Sequence, residues 1–520
     1  MSVLTMSGTE LAGANQDQFG ALDVVSHHAR RTPSAIALAD ADTGREYSWA
    51  ELEERVARCA GLLRSEYTIA PGDRVAVIAE NDPRVIEVQF ACMRVDAIFV
   101  PLNWRLTDEE LAYQCDDADV SLVVHDATWA DSATRLANAR GIGALRWGDG
   151  GSYETLLEQA APVRGQPQDW DTPTHILYTS GTTGRPKGAL SSRRSLAWQA
   201  INIAGCDEMA MPGAHYLNPM PLFHAGGLNV VSNPILFFGG RVSTMAKFDP
   251  VPVMKLLADK AFGVTHFTAV PTLYQMLAGV PEFDHTDYSH VRHAICAGAI
   301  ASPDLLKRWA ARGCPLEPQF GGTETGPTVL HLDARDLARS AAGIVGSPVH
   351  HTEVRLVDPL TGLDVDDGVV GELLVRGPSI TPGYWKRGRD EFFTDGFFRT
   401  GDALSRDADG YYTYSGRFKD MYKSGGENVY AAEVEAVLQT IAGVAEVAII
   451  GVPDDVWGEV GLAVIVPADG ASIDLAAIEQ ACDGRLARYK VPKRLELVDS
   501  LPRNVTGKVS KSELRSAFGA

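Results

Sequence analysis

Tyr178-Thr179-Ser180-Gly181-Thr182-Thr183-Gly184-Arg185-Pro186-Lys187-Gly188 closes the apolar run that begins at His175. A short apolar run that breaks into alternating hydroxyl residues and glycines predicts a buried strand feeding a phosphate-gripping turn. Glycines let backbone N–H groups turn toward a polyphosphate, Ser and Thr add hydroxyl donors, and Lys187 adds a point charge. The spacing differs from the Walker loop, Gly-x-x-x-x-Gly-Lys-[Ser/Thr], because here the lysine follows Arg185-Pro186 and precedes Gly188. A nucleoside triphosphatase of that class is therefore disfavoured.

On either side of this stretch the pattern alternates between helix and strand. Ser48 and Glu51 have capping-box spacing, and Leu52, Val56, Cys59 and Leu63 recur at helical intervals, so a helix starts there. Apolar strands are expected at 75–79, 99–102 and 121–125, with a helix opening at Thr107, and again at 175–179, 241–245, 264–268 and 293–297. Such alternation predicts α/β layering with largely parallel strands. From about residue 350 short strands separated by Gly and Pro (352–357, 371–376, 410–415) predict a small, mostly antiparallel β-layer. After Arg417 a compact α+β unit follows, with helices at 431–438 and 475–486 and strands at 446–451, 462–467 and 494–498. The expected organisation is a large N-terminal domain of layered αβ subdomains over 1–418 and a smaller, mobile α+β domain over 419–520.

The 520 residues suffice for more than one core, and 45% hydrophobic with 22% charged residues is an ordinary globular balance. A formal net charge of −20 repels phosphate backbones and anionic lipid, so neither nucleic acid nor a membrane is an expected partner. Cys59, Cys92, Cys115, Cys206, Cys296, Cys314 and Cys482 are scattered, without Cys-x-x-Cys spacing, and read as reduced, buried thiols. No apolar run approaches a bilayer span, and the opening residues lack a secretory pattern, so a cytoplasmic location is expected.

Five further motifs follow the loop: Pro221-Leu222-Phe223-His224, Phe320-Gly321-Gly322-Thr323-Glu324-Thr325, Arg399-Thr400-Gly401-Asp402, Gly416-Arg417-Phe418-Lys419-Asp420 and Pro502-Arg503-Asn504-Val505-Thr506-Gly507-Lys508. Together, and in this order, they resemble the adenylate-forming superfamily of acyl-CoA synthetases, peptide-synthetase adenylation domains and luciferases. The resemblance runs from about residue 20 to 515 and departs from the usual pattern at Phe320, where relatives commonly carry Tyr.

The resemblance implies a role for each motif. Thr179, Ser180, Gly181, Thr182, Thr183, Gly184 and Lys187 would hold the ATP phosphates, with Ala299, Phe320 and Gly321 around the base. Thr323 would reach the α-phosphate and Glu324 would hold Mg²⁺. Asp402 would accept the ribose hydroxyls, and Arg417 would contact the nucleotide beside Lys419, the expected hinge. His224, Gly226, Gly227, Gly298, Gly322 and Thr328 would line the acyl site, where His224 could orient or partly neutralise the acid. Small residues there leave room for a bulky acid.

Lys508 would stand between the carboxylate and the α-phosphate, stabilising the transition state more than the separated ground state. Lys423 is a further catalytic candidate, and Gly425-Gly426 would let the pantetheine arm of CoA pass once the smaller domain rotates. The implied activity is ATP- and Mg²⁺-dependent formation of acyl-AMP and pyrophosphate from a carboxylic acid, then transfer to CoA. An adenylation enzyme that loads a carrier protein or hands acyl-AMP to a partner enzyme stays open, as does a non-catalytic nucleotide-binding regulator. The regulator is disfavoured because Lys187, Glu324, Asp402 and Lys508 are all present. The acid itself is not specified.

Overall fold

In the computed structural model of the chain, residues 21–179, 185–206, 213–468, 470–503 and 508–519 are described. Ser48 accepts from the Glu51 backbone N–H while the Glu51 carboxylate reaches back to Ser48, which starts the helix Trp49–Ser65. Thr107 and Glu110 cap Asp108–Ala118 in the same reciprocal way. Each cap contributes about 1 kcal/mol by satisfying otherwise orphaned donors.

Three sheets carry the fold. The first runs Gly143–Arg146, Val120–His125, Arg74–Ile78, Ile98–Pro101, Pro173–Thr179, Lys187–Ser192. Its first five strands are parallel and the last is antiparallel. That antiparallel pair sets Thr179 opposite Lys187.

Side-chain alternation sends Val75 and Val77 to one face and Ala76 and Ile78 to the other. The first face shares a core with the helices Trp49–Ser65 and Pro83–Arg94 and with Leu38, Tyr216, Val242 and Ile295 of the second sheet. The opposite face of that second sheet is covered by Pro250–Ala258, Pro271–Ala278 and Pro303–Ala310. Two sheets thus sandwich a shared helical layer.

The second sheet carries the expected antiparallel β-layer. Its parallel centre, from Ile36–Asp40 to Leu316–Phe320, continues through Leu330–His331 and Ile344–Pro348 into the antiparallel strands Tyr412–Arg417, Phe397–Arg406, Gly371–Arg376 and Glu353–Val357. The β-layer after residue 350 is thus hydrogen-bonded to the edge of the main sheet while keeping a core of its own around Leu373, Val375 and Leu404. The switch to antiparallel pairing happens where Leu316–Phe320 meets Leu330–His331, and Gly346 (φ +113°) lets the next strand come close, since a Cβ there would overlap the His331 carbonyl.

After Arg417 a single turn, Phe418–Asp420, leads into the third sheet. It orders Glu427–Val429, Tyr422–Ser424, Gly458–Pro467, Val444–Asp454, with Arg494–Leu497 parallel to Gly458–Pro467. Its two faces have their own cores, one under Ala431–Leu438 and Leu475–Cys482, the other under Lys511–Phe518. The helix Leu475–Cys482 stops short of the expected 486 because Asp483 turns extended. All seven cysteines are buried and outside any disulfide, and burial pushes the Cys296 thiol up to about 12. Among the described residues no helix is long and apolar enough to cross a membrane.

Candidate active site

The sheet edges bring together residues that are remote in sequence. Glu324 sits in the turn Thr323–Thr325 that ends the strand Leu316–Phe320. Its Oε1 accepts from the Thr179 hydroxyl at 2.8 Å and from the Tyr384 hydroxyl at 2.8 Å. Among the described residues no donor reaches Oε2. One oxygen is fixed and the other is left for a cation.

Lys187, opposite Thr179, places Nζ 4.6 Å from the centroid of Phe392 and 5.6 Å from that of Tyr384. Ser180, Gly181, Thr182, Thr183 and Gly184, expected to grip the phosphates, lie outside the described residues, as do Asn504–Gly507.

Asp402 and Arg417 face each other across neighbouring antiparallel strands, and Nε of Arg417 donates to Oδ1 of Asp402 at 2.9 Å. Burial raises the Asp402 carboxyl above its ordinary range, and the Arg417 charge opposes that shift. Arg417 in turn is raised, chiefly by Asp402. Phe320 packs against Tyr414 with ring centroids 5.4 Å apart, forming an aromatic wall beside this pair.

Lys508 completes the group. Its Cε lies 3.9 Å from the point a Cβ on Gly298 would occupy, and its charge is felt by Asp402, Glu324 and Arg417. The side chain is reachable by water, yet protein surrounds it closely enough that burial is the main cause of its lowered pKa, with Arg417 second. A lysine of the smaller, C-terminal unit thus stands in the cleft of the larger one.

His224 also borders Lys508, with a difference from the expected charge role. Its Nδ1 accepts from the Gly226 backbone N–H at 3.0 Å, and burial, Lys508 and Arg105 hold its pKa down to about 4. At neutral pH it is uncharged and offers one N–H donor at Nε2, so it can orient an acid but cannot neutralise it.

Two glycines expected to provide space do not. A Cβ on Gly227 would overlap the carbonyl oxygens of Met220 and Pro221, and one on Gly321 would overlap that of Pro327, so both lack side chains because backbone packs there. Gly298, at φ +87°, is flanked by the Val270 and Lys508 side chains, at 3.3 and 3.9 Å from where a Cβ would stand, Gly322 lies against Glu324 Oε2 in the same way at 3.5 Å, and Ala299 is exposed beyond Gly298. The Thr328 hydroxyl donates to Gln319 Oε1 at 3.0 Å, and the residue is buried.

Lys423 is exposed and no contact among the described residues ties it to Glu324, Asp402 or Lys508. Gly425 (φ +61°) and Gly426 (φ +88°) form the two-residue turn between Ser424 and Glu427. Positive φ at both central positions is what such a hairpin turn needs, which accounts for the glycine pair locally.

Two residues escaped the motif reading. Tyr384 reaches Glu324 across 60 positions of sequence, and nothing in Pro382-Gly383-Tyr384-Trp385 signals acid chemistry. Arg105 stacks its guanidinium over Trp104 (4.8 Å) and Phe223 (5.6 Å) and acts electrostatically on His224, without an acidic partner among the described residues.

The group can bind a nucleoside triphosphate and hold a hard cation by a carboxylate oxygen. Among the described residues no cluster of three ligating side chains exists. A single carboxylate with substrate phosphates supplying further oxygens is how Mg²⁺ is commonly held, so the donor set fits that ion.

Comparison with known proteins agrees with this geometry. Residues 25–385 match the model of the AMP-binding enzyme family, and residues 433–508 match the AMP-binding enzyme C-terminal domain. The chain is 40% identical over 498 residues to a feruloyl-CoA synthase of Amycolatopsis sp, covering 94% of this chain and 97% of the relative. It is 36% identical over 500 residues to an indoleacetate–CoA ligase of Aromatoleum aromaticum, covering 94% and 96%.

Among solved structures, ATP-bound MatB from Rhodopseudomonas palustris superposes with a TM-score of 0.87 at 33% identity, covering 95% of this chain and 99% of that one. With both family models matched in order and relatives 36% and 40% identical over nearly the whole chain, the protein belongs to the AMP-binding enzyme family, within the adenylate-forming superfamily of acyl-CoA synthetases.

Proposed function

We propose that this protein activates an aromatic carboxylic acid of the arylpropenoate or arylacetate kind and passes the acyl group to CoA. The activity is that of an AMP-forming acyl-CoA synthetase: acid and ATP give acyl-AMP and pyrophosphate, and acyl-AMP and CoA give acyl-CoA and AMP. The aromatic preference rests on the relatives named for feruloyl and indoleacetate substrates.

The observation that carries the first half-reaction is Lys508 in the cleft beside Asp402, Glu324 and Gly298. A carboxylate against the α-phosphate brings two anions together, and a preorganised cation between them lowers the barrier to attack. His224 Nε2 orients the acid as a neutral donor. Asp402 accepts from the ribose, and Arg417 holds that carboxylate in place. Glu324 and the ATP phosphates would hold Mg²⁺, which when bound offsets charge on the departing pyrophosphate.

The boundary after Phe418, with Lys419 as pivot, belongs to the same proposal: the chain leaves one sheet at Arg417 and enters another at Tyr422. Rotation there would withdraw Lys508 and present the Gly425-Gly426 turn to the thiol, with Lys423 at its base. We place the protein in the cytoplasm, where ATP and CoA are available.

Acid-dependent exchange of labelled pyrophosphate into ATP, across arylpropenoic, arylacetic, succinylbenzoic and long-chain fatty acids, tests the first step. AMP release with CoA, with a carrier protein and with neither thiol tests the second. A preference for fatty over aromatic acids would overturn the substrate assignment, and AMP release dependent on a carrier protein alone would overturn the acceptor.

A further inference from the structure

The segment Thr381–Trp385 straps the phosphate strand to the metal-facing turn. The Thr381 backbone N–H donates to the Glu324 carbonyl at 2.8 Å, and its hydroxyl donates to the Leu190 carbonyl at 2.7 Å. Leu190 N–H donates to Gly383 at 3.0 Å, Trp385 N–H to Gly188 at 2.8 Å, and Ala189 pairs with Tyr384 in an isolated bridge. Trp385 Nε1 anchors the far end on the Asp117 carbonyl at 3.0 Å. The strap holds Tyr384 between two charged groups that face the same ligand.

We propose that Tyr384 is a positioning residue for both: its hydroxyl fixes Oε1 of Glu324 and so presents Oε2 to Mg²⁺, while its ring, with Phe392, seats the Lys187 ammonium. The Tyr384 and Phe392 rings meet edge to face at 4.5 Å, which holds the seat rigid. Lys187 extended over two aromatic faces keeps its charge near the cleft, with no acidic partner among the described residues to neutralise it. Thr179 donates to the same Oε1, so a strand hydroxyl and a strap hydroxyl fix one carboxylate rotamer. A carboxylate free to rotate would present either oxygen and would lose part of its binding energy in becoming ordered.

This inference rests on the Mg²⁺–ATP reading of the site, and the experiment separates the two. ATP binding to the full-length protein, without acid so that no turnover occurs, is measured calorimetrically with Mg²⁺ and with EDTA. The wild type should bind ATP more tightly with Mg²⁺; if it does not, the magnesium reading itself fails.

Tyr384→Phe keeps the ring and removes the hydroxyl. It should weaken binding with Mg²⁺ about tenfold, leave binding in EDTA unchanged, and leave the melting temperature of the ligand-free protein unchanged. Thr179→Val should also lose magnesium enhancement, on top of a loss in EDTA, because Thr179 is itself expected at the phosphates. Tyr384→Leu should weaken binding in both media, because Lys187 also loses its seat. Full magnesium enhancement in Tyr384→Phe, or equal loss with and without the metal, would overturn the positioning role.

Discussion

Replacing Lys508 by alanine isolates the electrostatic core of the mechanism. The Lys508 Cε lies 3.9 Å from the Cβ position of Gly298, so its ammonium can approach an acid oxygen lying against Gly298 to roughly 4 Å. At an effective dielectric of about 20, two unit charges at about 4 Å interact by about 4 kcal/mol. At 1.36 kcal/mol per decade this is about a thousandfold in rate if the contact is made mainly in the transition state.

Acid-dependent pyrophosphate release by Lys508→Ala should therefore fall about a thousandfold. Thioester formation from supplied acyl-AMP and CoA should fall by less than tenfold, about 1.4 kcal/mol, since the adenylate is already made. Water reaches the side chain and no packed core depends on it, so the melting temperature should hold. Equal loss in both assays would refute the withdrawal of Lys508 between steps, and a loss under tenfold in the first would refute its placement between the two anions.

Burial and Arg417 lower the Lys508 pKa, so its charge is lost at a lower pH than a free lysine's, and adenylation should fall on the alkaline side early. Lys508→Arg, which does not titrate there, should flatten that limb in a rate profile. His224, held near about 4, should add no limb between about pH 5 and 8, so His224→Ala should change the KM for the acid and leave the profile's shape alone. Asp402→Ala should cut the preference for ATP over 2′-deoxy-ATP, read as a ratio of kcat/KM, by about tenfold or more. Gly298→Val puts a branched side chain at φ +87°, with Val270 only 3.3 Å from the new Cβ. It should raise the KM for aromatic acids by about tenfold and affect acetate less.

Local chemistry made much of the fold legible. The capping boxes at Ser48 and Thr107 and the apolar runs at 293–297 and 371–376 predict the elements observed, because hydrogen-bond caps and side-chain periodicity act within a few residues. The segment 264–268 is shifted by two positions to His266–Ala269, since an apolar run does not mark where its pairing partner begins. The stretch after residue 350 is legible as an antiparallel β-layer, but short Gly-punctuated strands carry no record of which sheet they join. That is decided by pairing at Leu330–His331 and Ile344–Pro348.

By itself the sequence determined the chemistry available to this protein: a hydroxyl- and glycine-rich loop ending in Lys187, the acids Glu324 and Asp402, and a lysine at 508, in an order characteristic of one family. Tertiary structure decided how those groups behave. It set His224 neutral by burying it beside two cations, filled the space at Gly227 and Gly321 with carbonyl groups, and joined Tyr384 to Glu324 across 60 residues. Residue types fix which bonds and charges are possible, whereas charge state, open volume and orientation depend on neighbours brought together through space.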